Sequence, residues 1–214
     1  EDAVLWCAAA YRRQIARLAE QPLLARSFDR MDIDRMRLEM ADWSLRGEIE
    51  RSANLARNRT SDRALPKLTR ERDGMRRMVE QPPLVTHVSD DEKDRIIDGL
   101  ETYLTTLPQH WRRVLVSYLF VDVAHKVVGV GSVGLRAFVV LLQGNGLEDM
   151  LFLQLKQSRR SCVAPFVHGD TAWHAHQGQR VVEYQQTLQT VSDPLLGWTT
   201  VDKRDYYVRQ FRDM

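Results

Sequence analysis

The stretch VVGVGSVGLRAFVVLLQGNGLEDMLFLQLK, residues 127–156, carries most of the information about how this chain folds. It opens on Val127-Val128 and then Gly129-Val130-Gly131-Ser132-Val133-Gly134, a G-x-G-x-x-G pattern. Two unrelated phosphate-binding designs share that pattern, and its flanks separate them. A dinucleotide site needs a helix after the glycines, so that the helix N-terminus meets the pyrophosphate. Here Leu135-Arg136-Ala137-Phe138-Val139-Val140-Leu141-Leu142 follow, strand formers with neither a cap residue nor a helical stripe. They run into Gly144-Asn145-Gly146, a turn signal. Leu151-Phe152-Leu153-Gln154-Leu155-Lys156 is then a third short apolar strand, closed by a lysine. The glycines lack a Cβ, so their backbone N–H groups can approach phosphate oxygens in conformations other residues avoid. A plain glycine-rich hairpin turn would use the same residues.

Strand, glycine loop, strand is the arrangement of protein kinases, in which a hairpin covers the nucleotide phosphates. A lysine on the third strand supplies the cation for the α- and β-phosphates there, and a glutamate on the next helix braces it. Lys156 and Glu183 occupy those places in the chain order. Either residue alone reads equally well as a solvated surface position; the order of the three features is what distinguishes them.

Outward from this unit, residues 177–191 have a helical stripe of Val181, Tyr184, Leu188 and Val191, and Leu195–Thr200 and Tyr206–Phe211 read as two further strands. Upstream the chain reads helical. Val4, Ala8, Tyr11, Ile15 and Leu18 share one helical face, expected to point inward, and Asp32–Ala56 predicts a second long helix with Met36, Met40, Trp43 and Ile49 inward. Asn58–Asp62 is a polar break, and Met75–Val88, with Pro82-Pro83, predicts a short extended excursion. Ser89 and Glu92 have capping-box spacing ahead of a helix whose buried face is Ile96, Ile97, Leu100, Tyr103, Leu104 and Leu107. Pro108 restarts the chain into a short helix carrying Trp111, Leu115 and Leu119.

Composition excludes several function classes. With 43% hydrophobic and 28% charged residues the chain is that of an ordinary globular protein. No run approaches the about 18 to 20 apolar residues of a membrane helix, and no basic-then-apolar leader is present, so a cytoplasmic location is expected. Cys7 and Cys162 lie in no metal or redox spacing and are expected to be buried thiols. The net charge is +2. Arginines alternate with acids, as at Asp29-Arg30 and Glu48–Arg51, which gives ion-paired helix faces and argues against nucleic acid as a partner. Trp6, Trp43, Trp111 and Trp198 are scattered and read as core anchors.

Residues from about Asp122 onward resemble the bacterial domain of unknown function 2252 family, grouped with kinase-like folds related to aminoglycoside phosphotransferases. The resemblance lies in Asp122–Gly134, Leu151–Lys156, His176–Glu183 and Tyr207–Met214, with Pro82-Pro83-Leu84 as its best marker upstream. It implies an α+β fold: a kinase-like small lobe at 118–214, an antiparallel sheet of about five strands plus one helix, preceded by a mainly helical region at 1–117. It implies an ATP-binding phosphotransferase. Val128, Gly129, Gly131, Ser132 and Gly134 would cradle phosphates, Lys156 and Glu183 would form the catalytic pair, and Gln210 would lie at the hinge beside the adenine. The substrate would be a small molecule or a protein. Magnesium would bind on Gly-Asp-x-His and Asp-Phe-Asp segments that the family carries upstream and that have no counterpart at a matching place in these residues. A non-catalytic kinase-like scaffold is the alternative.

Two other clusters invite chemistry. His168-Gly169-Asp170 spells the start of a phosphotransferase catalytic loop, but the metal-holding Asn expected five residues after the Asp is Ala175, and the tripeptide falls between the lysine strand and the acidic helix. His168, Asp170, His174 and His176 have zinc-ligand chemistry, though loop histidines are more often surface residues.

Overall fold

A computed structural model describes residues 2–22, 24, 38, 43–57, 61–72, 74–127, 129, 133–167, 174–189 and 191–211. The chain divides into two compact units, residues 1–51 and 52–214.

In the first unit, α1 (Asp2–Ala19) forms where the stripe predicts a helix. None of its residues is buried, and Val4, Tyr11, Ile15 and Trp6 are exposed, Trp6 to 72%. The expected inward face and the expected core role of Trp6 are therefore both corrected. Periodicity says which side of a helix can be buried, not whether anything lies against it. Cys7, on the same helix, is exposed, as is Cys162, so neither is the buried thiol expected. Helix α2 (Trp43–Arg57) starts at Trp43; most of residues 32–42, and the side chain of Trp43, lie outside the described set.

The second unit is α+β. Helix α3 (Ser61–Leu68) leads into a hairpin of β1 (Thr69–Arg72) and β2 (Met75–Met78). Strand β3 (Val85–His87) follows, then α4 (Asp90–Thr105), α5 (Gln109–Leu115), β4 (Leu119–Lys126), β5 (Ala137–Gln143), β6 (Met150–Gln157), α6 (Ala164–Val167), α7 (Gln177–Leu188), β7 (Gly197–Val201) and β8 (Arg204–Gln210). The large sheet has the order β3-β4-β5-β6-β8-β7, antiparallel at every pair. The five strands read from sequence are present; β3, out of the Met75–Val88 excursion, adds a sixth. Leu119, expected in the short helix, is instead the exposed first residue of β4.

Side chains alternate across a strand, so the sheet has two distinct faces. On one, Val123, Phe138, Val140, Leu142, Leu151, Leu153, Leu155, Tyr206 and Val208 pack under α4 through Ile96 and Tyr103, and against Leu107 just past its end. Ser89 caps α4 as expected, its Oγ accepting from Glu92 N–H at 3.3 Å. The reciprocal half of the box is diverted, because the Glu92 carboxylate pairs with Arg136. Helix α4 sits close on β7: Thr199 Oγ1 donates to Gly99 O at 2.6 Å, and Tyr103 OH donates to Leu195 O at 2.7 Å. The phenol of Tyr103 is pushed far above its ordinary pKa by burial, with Asp193 adding to the shift.

On the other face, Ala124, Val139, Leu141, Met150, Phe152 and Phe211 pack with Val85, Met78, Leu65 and Leu68, so the β1–β2 hairpin covers β4 and α3 lies over β6. Helix α7 covers the opposite side of that same face. Its first residues hang on Thr200 and Asp205: His176 Nε2 lies 3.1 Å from Thr200 Oγ1, and Gln177 N–H donates to Asp205 Oδ2 at 2.7 Å. Thr200 pairs with Asp205, and Trp198 with Tyr207, on the parity opposite to the α4 contacts Gly197, Thr199 and Val201.

Candidate functional site

Lys156 is the next-to-last residue of β6, on the face that carries α7. Its register partners are Ala137 on β5 and Tyr207 on β8. Its ammonium stands over the Tyr207 ring, 5.8 Å from the centroid. Lys126, at the end of β4, makes the same kind of contact with Phe211 at 5.8 Å. Arg209 lies on β8 opposite Gln154 of β6. Among the described residues none of Lys126, Lys156 and Arg209 has a carboxylate within ion-pair distance. The acids nearest in sequence to this face are occupied: Asp205 accepts from Gln177 N–H, and Asp122 accepts from Met78 N–H at 2.9 Å. The result is a strip of half-buried positive charge in which Lys126 and Lys156 rest over rings rather than against anions. Cation–ring contacts hold an ammonium without neutralising it, so its attraction for an incoming anion is retained.

The turn between β4 and β5 ends at this strip. Gly129 (φ 139°) and Gly134 (φ 77°) take left-handed conformations that only glycine adopts without strain. Val128, Gly131 and Ser132 lie outside the described residues. Arg159 Nη2 donates to Gly134 O at 3.1 Å, and Arg180 Nη2 donates in turn to Arg159 O at 3.1 Å. The glycine turn, the segment after β6 and helix α7 are thereby tied in series.

Glu183 is on α7, but the expected pair with Lys156 is not formed. Its Oε2 lies 2.5 Å from His174 Nε2, and its Oε1 accepts from Gln179 Nε2 at 2.8 Å. A carboxylate only accepts, so Nε2 of His174 carries the proton in this contact. The His174 hydrogen bond first, and that of Gln179 second, hold the Glu183 carboxyl below its ordinary pKa. A carboxyl whose pKa is lowered by folding adds stability above its unfolded value, and that stability is lost as pH falls through the folded one. His174→Ala is expected to move the Glu183 pKa up toward 4.5, the value of a free carboxyl. Carboxyl-carbon NMR titration of the two proteins checks this; an unmoved Glu183 would remove His174 as the cause.

Gln210 directs its backbone N–H to Asp193 Oδ2 at 2.7 Å. His176 caps α7, its Nδ1 accepting from Gln179 N–H at 3.1 Å. His168 and Asp170 lie outside the described residues, and among those described no three metal-ligating side chains come together. No helix among the described residues is long and apolar enough to cross a membrane.

Lys126, Gln154, Tyr207 and Arg209 were not singled out by sequence, although a signal existed. Residues 124 and 126, 152 to 156 in steps of two, and 207 to 211 in steps of two share one face once the strands are paired.

The geometry defines an α+β protein with a basic sheet face between a glycine turn and one helix. The chain belongs to the family described as uncharacterized protein conserved in bacteria (DUF2252), whose profile matches residues 1–214. The match takes in residues 1–117 as well as the strand and glycine segments that carry the resemblance. No curated protein and no solved structure matches the chain.

Proposed function

We propose that the face carrying Lys156 binds the phosphates of ATP with magnesium, and that this chain is the nucleotide-holding part of a kinase-like phosphotransferase. The observation that carries the reading is the pair Lys126 and Lys156, cations held over rings with no carboxylate partner among the described residues, beside a left-handed glycine turn. The order of glycine turn, lysine strand and acidic helix, with α7 and Lys156 on one face, supports it. Glycine backbone N–H groups and Lys156 would hold the α- and β-phosphates. Magnesium would supply further charge neutralisation; no residue of this chain is assigned to its coordination, nor to a catalytic base. The phosphate acceptor would be a small molecule or a protein, met in the cytoplasm.

Lys156→Ala is expected to weaken magnesium-ATP binding by about 10- to 30-fold, the loss of one charge-assisted contact. Isothermal titration calorimetry of the full-length protein measures it, and an unchanged Kd overturns the reading. One observation favours the second reading, a non-catalytic scaffold of the same architecture. Glu183 is already engaged by His174 and Gln179 and does not brace Lys156. ATP turnover by the full-length protein separates the two: phosphate release or transfer supports the enzyme, and tight binding without turnover supports the scaffold.

A further inference from the structure

Three polar side chains are buried among the described residues, Thr69, Gln154 and Thr199. Two have an evident reason to be there. Thr69 Oγ1 donates to Leu65 O at 2.6 Å, and Thr199 Oγ1 donates to Gly99 O at 2.6 Å. Gln154 is 8% exposed and its amide makes no hydrogen bond among the described residues. An unpaired amide at a buried strand position is destabilising, so leucine would be the more stable occupant of this strand. The amide is not sealed in, because the described side-chain atom that is both fully buried and unpartnered is Ser158 Oγ.

The register places Gln154 precisely enough to say what it faces. It lies two residues before Lys156 on the same side of β6, a step of roughly 7 Å. Lys156 is opposite Ala137, next to the glycine turn, and Gln154 is opposite Val139, one step further from that turn. Its other neighbour is Arg209, whose guanidinium also has no hydrogen bond or ion pair among the described residues. Phe211, two residues beyond Arg209, continues the same face.

We propose that Gln154 and Arg209 read the base of the nucleotide; this rests on the phosphate-binding reading above and extends it. With the phosphates at Lys156 and the glycine turn, the rest of the ligand lies over Gln154. A carboxamide offers a donor and an acceptor side by side, the complement of a purine edge that presents an amino group beside a ring nitrogen. Arg209, adjacent across the strands, supplies a planar cation to stack on the ring or to donate to its acceptors. Gln154 is thus a specificity residue, distinct from the cations that hold the phosphates.

The test compares magnesium-ATP with magnesium-tripolyphosphate, which has the phosphates and no base, on full-length wild type, Gln154→Leu and Arg209→Met. Wild type is expected to bind ATP more tightly than tripolyphosphate. Gln154→Leu is expected to lose about 10-fold in ATP affinity, leave tripolyphosphate unchanged, and melt about 2 to 4 °C higher. Arg209→Met is expected to reduce the ATP preference over tripolyphosphate in the same direction. An unchanged ATP preference in Gln154→Leu overturns the proposal, as does an equal loss for both ligands. A lower Tm for Gln154→Leu also overturns it, since the amide would then be structural. If wild type binds neither compound, the phosphate reading itself fails; if it binds both equally, only the base-reading proposal fails.

Discussion

Gly178→Ala is expected to lower the unfolding free energy by about 2 to 3 kcal/mol, as overpacking of a closed contact does. A Cβ at Gly178 would lie 2.3 Å from Tyr206 O and 2.7 Å from Tyr206 C. Both atoms belong to the backbone of β8, a strand paired on both sides, so they cannot move aside. On an open helix the same change is favourable by up to about 1 kcal/mol. The sign of the effect therefore reports whether α7 rests on β8. Urea unfolding of the two proteins gives it directly, and a stabilised alanine variant would mean that the helix stands off the sheet. Because α7 carries Glu183 and Arg180, the variant should also loosen the series of contacts that ends on Gly134.

Phe152→Ala is expected to cost about 3 to 5 kcal/mol, the usual range for deleting a buried aromatic side chain. Phe152 is fully buried in β6, between β5 and β8. Its ring meets that of Phe211 edge-on at 6.1 Å, and its carbonyl accepts from Phe211 N–H at 2.9 Å. With domain stabilities of about 5 to 15 kcal/mol, such a loss leaves little margin. Thermal unfolding followed by circular dichroism checks it; a change under about 1 kcal/mol would mean that the β1–β2 side of the face is not packed as described.

The strands of the second unit were readable because their signal is local. Residues 137–142 are apolar without interruption, 150–155 are apolar except at Gln154, and both form strands buried on both faces, the pattern of a sheet covered on two sides. Gly144-Asn145-Gly146 turned the chain as expected, with Gly144 N–H bonded to Asp149 O at 2.8 Å. The Ser89 cap was equally legible, since it needs only a hydroxyl and a backbone amide three residues on. What could not be read depended on distant partners. The stripe of α1 gave the helix and misjudged its burial, because burial is a property of two surfaces. The position of Glu183 was found, but its partner was not. His174 lies nine residues away across a loop, and sequence order alone made Lys156 the more obvious choice. Lys126, Gln154 and Arg209 became visible only when register put three strands side by side.

The contact between α4 and β7 has a consequence for how the protein is made. Thr199 bonds to Gly99 across 100 residues of chain, and Tyr103 to Leu195 across 92. Strand β8, which leaves the ribosome after β6 and β7, inserts between them. At a synthesis rate of about 5 to 20 residues per second, α4 waits roughly 5 to 20 seconds for the strand it will cover. Through that interval the nascent chain shows Ile96, Tyr103 and Leu107 to solvent, together with an unpaired edge of β6. Truncations that stop before Arg204 should therefore engage chaperones, and release from them should coincide with the emergence of the β7–β8 hairpin.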